Sequence, residues 1–219
     1  MQKILFITPH LSTGGLPQYL YKKLERLSRE TKDELFLIEW EDLAPIYRVQ
    51  KDKIKEIIKT NFISWPQNTD VNKKIHDVIT FINTNNFNQI HLEEFPETFL
   101  PYELIVSIYY NKSYKITETS HSSDFNITDK KVYPDEFIFV SSSQIEKYKR
   151  FNIPSRLEEY VIEDNKRPSR NETLIKLGLD PEYKHVINVG LFTPGKNQGY
   201  AFQLARLMEI EKIKFHFRM

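Results

Sequence analysis

Two kinds of apolar pattern alternate along this chain. Short, nearly continuous runs such as Ile4-Leu5-Phe6-Ile7 and Phe137-Ile138-Phe139-Val140 suit strands buried on both faces of a parallel sheet. With the less pure runs included, the pattern predicts strands over 3–8, 34–39, 61–64, 89–92, 114–118, 136–140, 158–162, 185–189 and 212–217. Between them, apolar residues recur at helical spacing. Leu16, Leu20, Leu24 and Leu27 share one face, with Pro17 in the first turn. Val71, Ile75, Val78, Ile79 and Ile82 share another, behind a candidate N-cap at Asp70. Further helices are predicted over 142–151 and 197–209, and behind Ser169, whose spacing to Glu172 fits a capping box and whose helix Gly178 would end. Strands alternating with helices predict an α/β fold with a doubly wound parallel sheet.

Composition narrows this picture. A length of 219 residues suits one large domain, or one domain and part of another. The polar run Asp164-Asn-Lys-Arg-Pro-Ser-Arg170 marks a boundary, giving a first domain over 1–163 and a linker plus second domain over 164–219. The elements beyond that run are too few to close a second domain, so the expectation is an incomplete one. Lys and Arg number 31 against 30 Asp and Glu, with no basic stripe, so nucleic acid is not expected as a partner. The absence of cysteine excludes disulfides, thiolate metal sites and a cysteine nucleophile. No histidine spacing matches a metal motif, so no metal is expected. The first apolar run breaks at Pro9, too soon for a signal peptide, and no run reaches membrane-spanning length, which points to a cytoplasmic protein. The stretch 51–59, with Ile54, Ile57 and Ile58, reads as an ordinary amphipathic helix; the alternative is peripheral membrane association, against which the narrow apolar face counts.

Three stretches carry candidate chemistry. In "TPHLSTGGLPQYL", Gly14 and Gly15 fall in the turn after the first strand and just before a helix. Glycine allows close backbone approach and positive φ, and the helix start offers unpaired N–H groups, which together can cradle an anionic or hydroxyl-rich group. The plainer alternative is a tight strand–helix connection. The stretch matches neither G-x-G-x-x-G nor the P-loop pattern. In "KITETSHSSDF", His121 and Asp124 stand at the carboxyl edge of a strand, where an imidazole could hold a substrate hydroxyl or share a proton; the alternative is a self-capping polar loop. In "HVINVGLFTPGKNQGYAFQLARLM", Gly190 ends a strand and Lys196 precedes a helix, a placement suited to a diphosphate, or else a solvated surface lysine. His91, Glu93 and Glu94 lie near another strand end, where the neighbouring carboxylates read as facing solvent.

The order of these signals, together with "FIFVSSSQIEKYKRFNIP" and "VIED", resembles the retaining GT-B glycosyltransferases of the family 4, or group 1, type. The resemblance runs along the whole chain and is strongest over 186–207. It implies two Rossmann-like domains: an N-terminal one binding an acceptor, then the first βα units of one binding a UDP- or GDP-linked sugar. It implies no cofactor beyond that nucleotide-sugar donor, no metal, and a glycan or lipid-linked acceptor. By the resemblance Gly14 and Gly15 approach the donor phosphate and the acceptor, His121 contacts the transferred sugar, and Gly190 and Lys196 serve the diphosphate as it leaves. Leu191 stands where the family has arginine, "VIEDN" departs from the usual Pro-Asn-Gly turn, and the family's Glu-x7-Glu motif is absent from these residues. The expected function is sugar transfer by a parent protein of which this chain is an inactive part. The alternatives are a glycan- or protein-binding module derived from a glycosyltransferase half, and an unrelated Rossmann-like enzyme such as an epimerase.

Overall fold

A computed structural model describes residues 1–12, 14–43, 48–110, 112–121, 125–162, 168–187 and 197–218. It divides into two compact units, Met1–Ile162 and Glu163–Met219. The first is built on a seven-stranded sheet in the order β3-β2-β1-β4-β5-β6-β7, parallel throughout. Its strands are β1 (Lys3–Thr8), β2 (Glu34–Glu39), β3 (Phe62–Ser64), β4 (Gln89–Glu93), β5 (Lys115–Ser120), β6 (Glu136–Phe139) and β7 (Ser155–Leu157). The helices are α1 (Gly15–Glu30), α2 (Val49–Ile58), α3 (Val71–Asn85), α4 (Tyr102–Tyr110) and α5 (Ser142–Tyr148).

Period-two alternation sends each strand's side chains to two separate cores. From β1, Ile4 and Phe6 pack with Leu20 and Leu24 of α1 and Ile54 and Ile58 of α2. Leu5 and Ile7 face the other way and pack with Val78 and Ile82 of α3 and Leu104, Ile105 and Ile108 of α4. A third, aromatic core joins Phe137 and Phe139 of β6 to Phe95 and to Tyr148 of α5. Helices therefore cover both faces, and this is why the central strands read as continuous apolar runs. Asp70 caps α3, its side chain accepting from the Lys73 N–H at 3.0 Å.

The second unit holds α6 (Arg170–Lys176), β8 (Lys184–Ile187), α7 (Gln198–Ile210) and β9 (Phe215–Arg218). Strands β8 and β9 pair in parallel, as a crossover through α7 requires. Ser169 and Glu172 form the reciprocal capping box, and Gly178 takes φ 63° just past the helix, the left-handed position that favours glycine.

Three expectations need correction. The strand expected over 158–162 lies earlier, at β7: the chain pairs with β6 only through Leu157, after which the Glu158 N–H reaches the Phe139 carbonyl and its carboxylate turns to α1. Val161 and Ile162, the apolar residues behind that expectation, are exposed. The last strand starts at Phe215 because Lys212, at φ 54°, is in a turn. The helix over 142–151 finishes in a single 3-10 turn over Lys149–Phe151.

Candidate active site

In a doubly wound sheet the chain leaves in one direction, returns and continues in the other, and ligands lodge beyond the carboxyl ends of the strands where the order reverses. Here that reversal falls between β1 and β4. Gly14 and Gly15 follow β1; Glu93 and Glu94 end β4; His121 follows the adjacent β5. The strand order thus brings together three loops that are far apart in sequence.

The two glycines answer to different constraints. Gly14 has φ 109°, which an L side chain rarely adopts, although a Cβ there would meet nothing within 4 Å. Gly15 starts α1, and a Cβ on it would lie 3.0 Å from the Tyr160 hydroxyl. The α1 N-terminus has no side-chain cap.

His121 is held at three points. Its Nε2 is 3.0 Å from Glu93 Oε2, its Nδ1 is 2.9 Å from the Tyr160 hydroxyl, and its backbone N–H points at Glu94 Oε1 at 3.4 Å. Tyr19 of α1 sets its ring edge-on to both, with centroids 4.9 Å from His121 and 5.4 Å from Tyr160. Burial pushes the Tyr160 phenol up to about 12, so it remains a protonated donor near neutrality.

Glu93 is fully buried, not solvent-facing. Burial by itself would raise its carboxyl, but Lys23 at 3.6 Å and the imidazoles of His91 and His121, each at 3.0 Å, hold it well below the usual carboxylate range. His91 is also buried, and burial, then the Lys23 charge, lower its pKa, so it is neutral. Gln89 donates to Thr117 Oγ1 at 2.9 Å, and Thr117 in turn lies 2.6 Å from His91 Nδ1. His91 Nε2 lies 2.7 Å from Thr119 Oγ1, 3.2 Å from Lys23 Nζ and 3.0 Å from Glu93 Oε1. Lys23 also bonds the Tyr19 hydroxyl at 3.2 Å and pairs with Glu158 at 3.3 Å, while Tyr19 donates to Glu158 at 2.6 Å. Beside this cluster a pocket of about 580 Å³ is lined by Phe6, Tyr19, Lys23, His91, Arg156 and Glu158, among others.

Glu94 has φ 125°, a costly conformation for a residue with a side chain. Its carboxylate accepts from the backbone N–H groups of Phe95 and His121, and burial raises its pKa. A strained backbone and a perturbed carboxyl at the end of β4 mark the same edge as the glycine turn.

His121, Gly14 and Gly15 are therefore gathered at one edge. Gly190, Lys196 and Asp124, and with them Leu191, lie outside the described residues. The residue pattern does not single out Tyr19, Lys23, Glu158 or Tyr160. Tyr19 and Lys23 carry a weak signal, a spacing of i and i+4 on α1 beside its apolar face. Glu158 and Tyr160 are masked by the strand expected over 158–162, which the structure places earlier. Among the described residues, no group of three or more histidine or carboxylate side chains could hold a metal ion. No described helix is long and apolar enough to cross a membrane.

No family model matches the chain, and no curated protein matches it. Solved structures do. A glycosyltransferase from Rickettsia africae superposes with a TM-score of 0.64 at 11% identity, over 99% of this chain and 59% of that one. The lipopolysaccharide outer core galactosyltransferase WaaB gives 0.60 at 14% identity, over 99% and 68%. The S. aureus MnaA–UDP structure gives 0.59 at 13% identity, over 99% and 62%. This chain has a GT-B Rossmann-like fold. Its residues span about three fifths to two thirds of the length of these structural neighbours.

Proposed function

We propose that this chain belongs to a sugar-nucleotide enzyme, and specifically to a transferase that moves a sugar from a UDP- or GDP-linked donor to a carbohydrate or lipid-linked acceptor. The observation that supports this best is the meeting of His121, its buried partner Glu93 and the Gly14–Gly15 turn at the reversal point of a GT-B Rossmann-like sheet. In this reading residues 1–163 bind the acceptor, and residues 164–219 begin the donor-binding domain. His121 takes a hydroxyl of the transferred sugar, the glycine turn lets the donor phosphate approach the α1 N-terminus, and Gly190 and Lys196 serve the diphosphate.

Saturation-transfer NMR with UDP-glucose and GDP-mannose tests this reading. The expected outcome is transfer to the sugar protons of one of them, lost in His121→Ala. A protein that contacts neither donor, or contacts both equally well without His121, would refute it.

A second reading is a sugar-nucleotide epimerase. It draws on the UDP-N-acetylglucosamine 2-epimerase from Rickettsia bellii, which superposes at a TM-score of 0.54 and 13% identity over 100% of this chain and 62% of its own. It also draws on the imidazole–carboxylate pair, which could move a proton. That epimerase shares this fold, so the fold does not separate the two readings. Incubating the parent protein with UDP-N-acetylglucosamine, with and without an acceptor, separates the two: a changed sugar epimer favours the second reading, and transfer that needs an acceptor favours the first.

A further inference from the structure

The geometry at His121 fixes more than a location. Glu93 is ionised, and an ionised carboxylate only accepts, so His121 Nε2 must carry the proton that bridges the 3.0 Å gap. In the neutral imidazole Nδ1 then holds a lone pair, and the Tyr160 phenol donates to it at 2.9 Å. An imidazole nitrogen has one lone pair and accepts one such bond. A ligand hydroxyl and the Tyr160 hydroxyl therefore compete for the same nitrogen.

The same phenol fills the space over Gly15, since a Cβ there would lie 3.0 Å from its oxygen. The segment that carries it is anchored on one side and exposed on the other. Glu158 is tied to Tyr19, Lys23 and Arg156, and its N–H is bonded to the Phe139 carbonyl. Beyond it, Glu159, Val161 and Ile162 are exposed, Ile162 at 87%.

We propose that Tyr160 is a gate: its phenol is the resident occupant of a hydroxyl-recognition point at His121 Nδ1, and the segment 159–162 must withdraw, hinging after Glu158, before a sugar hydroxyl can engage that nitrogen. The ligand class, a sugar, rests on the proposed function above; the occupancy of Nδ1 does not. Recognition at this point is by acceptance of a hydroxyl proton. An anion is disfavoured there because Glu93 lies on the other side of the ring.

Two measurements on Tyr160→Phe, compared with the unaltered chain, decide the matter. The first is the rate at which diethyl pyrocarbonate modifies His121, followed by peptide mass spectrometry without ligand. Uncapping Nδ1 should raise that rate severalfold, and an unchanged rate overturns the gate. The second is calorimetric affinity for UDP-glucose and for UDP. Loss of one ordinary hydrogen bond from the closed form should tighten UDP-glucose about fivefold and leave UDP unchanged. Weaker or unaltered UDP-glucose binding would make Tyr160 a ligand contact or a bystander, and the gate would fall. If neither protein binds either nucleotide, the function reading fails, and the reactivity of His121 alone upholds or overturns the capping by Tyr160.

Discussion

Glu93 and Glu118 are both fully buried carboxylates on neighbouring strands, one register step apart and on opposite faces of the sheet. Glu93 faces α1, where Lys23, His91 and His121 surround it and hold it ionised. Glu118 faces α4, where Lys130 reaches it at 2.7 Å and the Tyr109 hydroxyl donates to it. Lys130 is shared with Glu97 at 3.1 Å and lies 4.7 Å from the Phe95 ring centroid. Both lysines are shared, Lys23 with Glu158 and Lys130 with Glu97, but Glu118 has no imidazoles beside it, and burial lifts it to about 7. Burial is equal at the two sites; the number of positive or proton-donating partners differs. One cluster is a fixed anion that orients an imidazole at the candidate site, and the other is a titrating group inside the fold.

The largest test of this contrast is Glu93→Ala. It leaves Lys23 with Glu158 alone and frees both imidazoles, and breaking a buried ionic cluster from one side costs about 3–5 kcal/mol. Urea unfolding would measure it, and a loss under about 1 kcal/mol would mean that Glu93 is not the anchor described.

The next effect is pH dependence. Glu118 has a raised folded pKa, so its contribution is present below the unfolded value of 4.5 and is lost as pH rises towards about 7. The loss approaches about 3 kcal/mol by the linkage relation. His91 acts with the opposite sign: its lowered folded pKa makes the protein less stable as pH falls below the ordinary histidine value of 6.5. Glu118→Gln should therefore expose a stability that rises steadily from about pH 4.5 to 6.5, where the unaltered chain is flatter. Parallel profiles for the two proteins would show that Glu118 does not titrate in that window.

The smallest is Thr117→Val. It removes the hydroxyl that bridges Gln89 and His91 Nδ1, leaving a buried imidazole nitrogen unmatched at a cost of about 1–2 kcal/mol. The imidazole nitrogen shifts of His91 should then move; an unaltered spectrum would refute a hydrogen bond between Thr117 and His91 Nδ1.

Much of the first unit is legible in the pattern of residues. The strands at 3–8 and 34–39, the α1 and α3 faces and the Asp70 cap all follow from local rules of period and hydrogen bonding, as does the Ser169–Glu172 capping box of the second unit. The site is legible only in part. His121 and the glycine turn are identifiable because unusual residue types mark them. Glu93 reads as half of a solvated pair, since nothing local reveals that Lys23, far away in sequence, lies against it. Glu158 and Tyr160 escape notice because a three-residue edge strand has too short a period to place.

The residue order by itself determines β1, β2, α1 and α3 and the side each presents to a core, because those depend on neighbours within a few positions. It also determines that two glycines stand at the start of α1, one of them where the backbone turns to positive φ. Only the tertiary structure decides that the ends of β1, β4 and β5 meet, since this depends on the strand order 3-2-1-4-5-6-7 and not on any local spacing. That meeting strips water from Glu93 while supplying a lysine and two imidazoles, and so sets which carboxylate stays charged and which nitrogen of His121 is left to accept a hydroxyl.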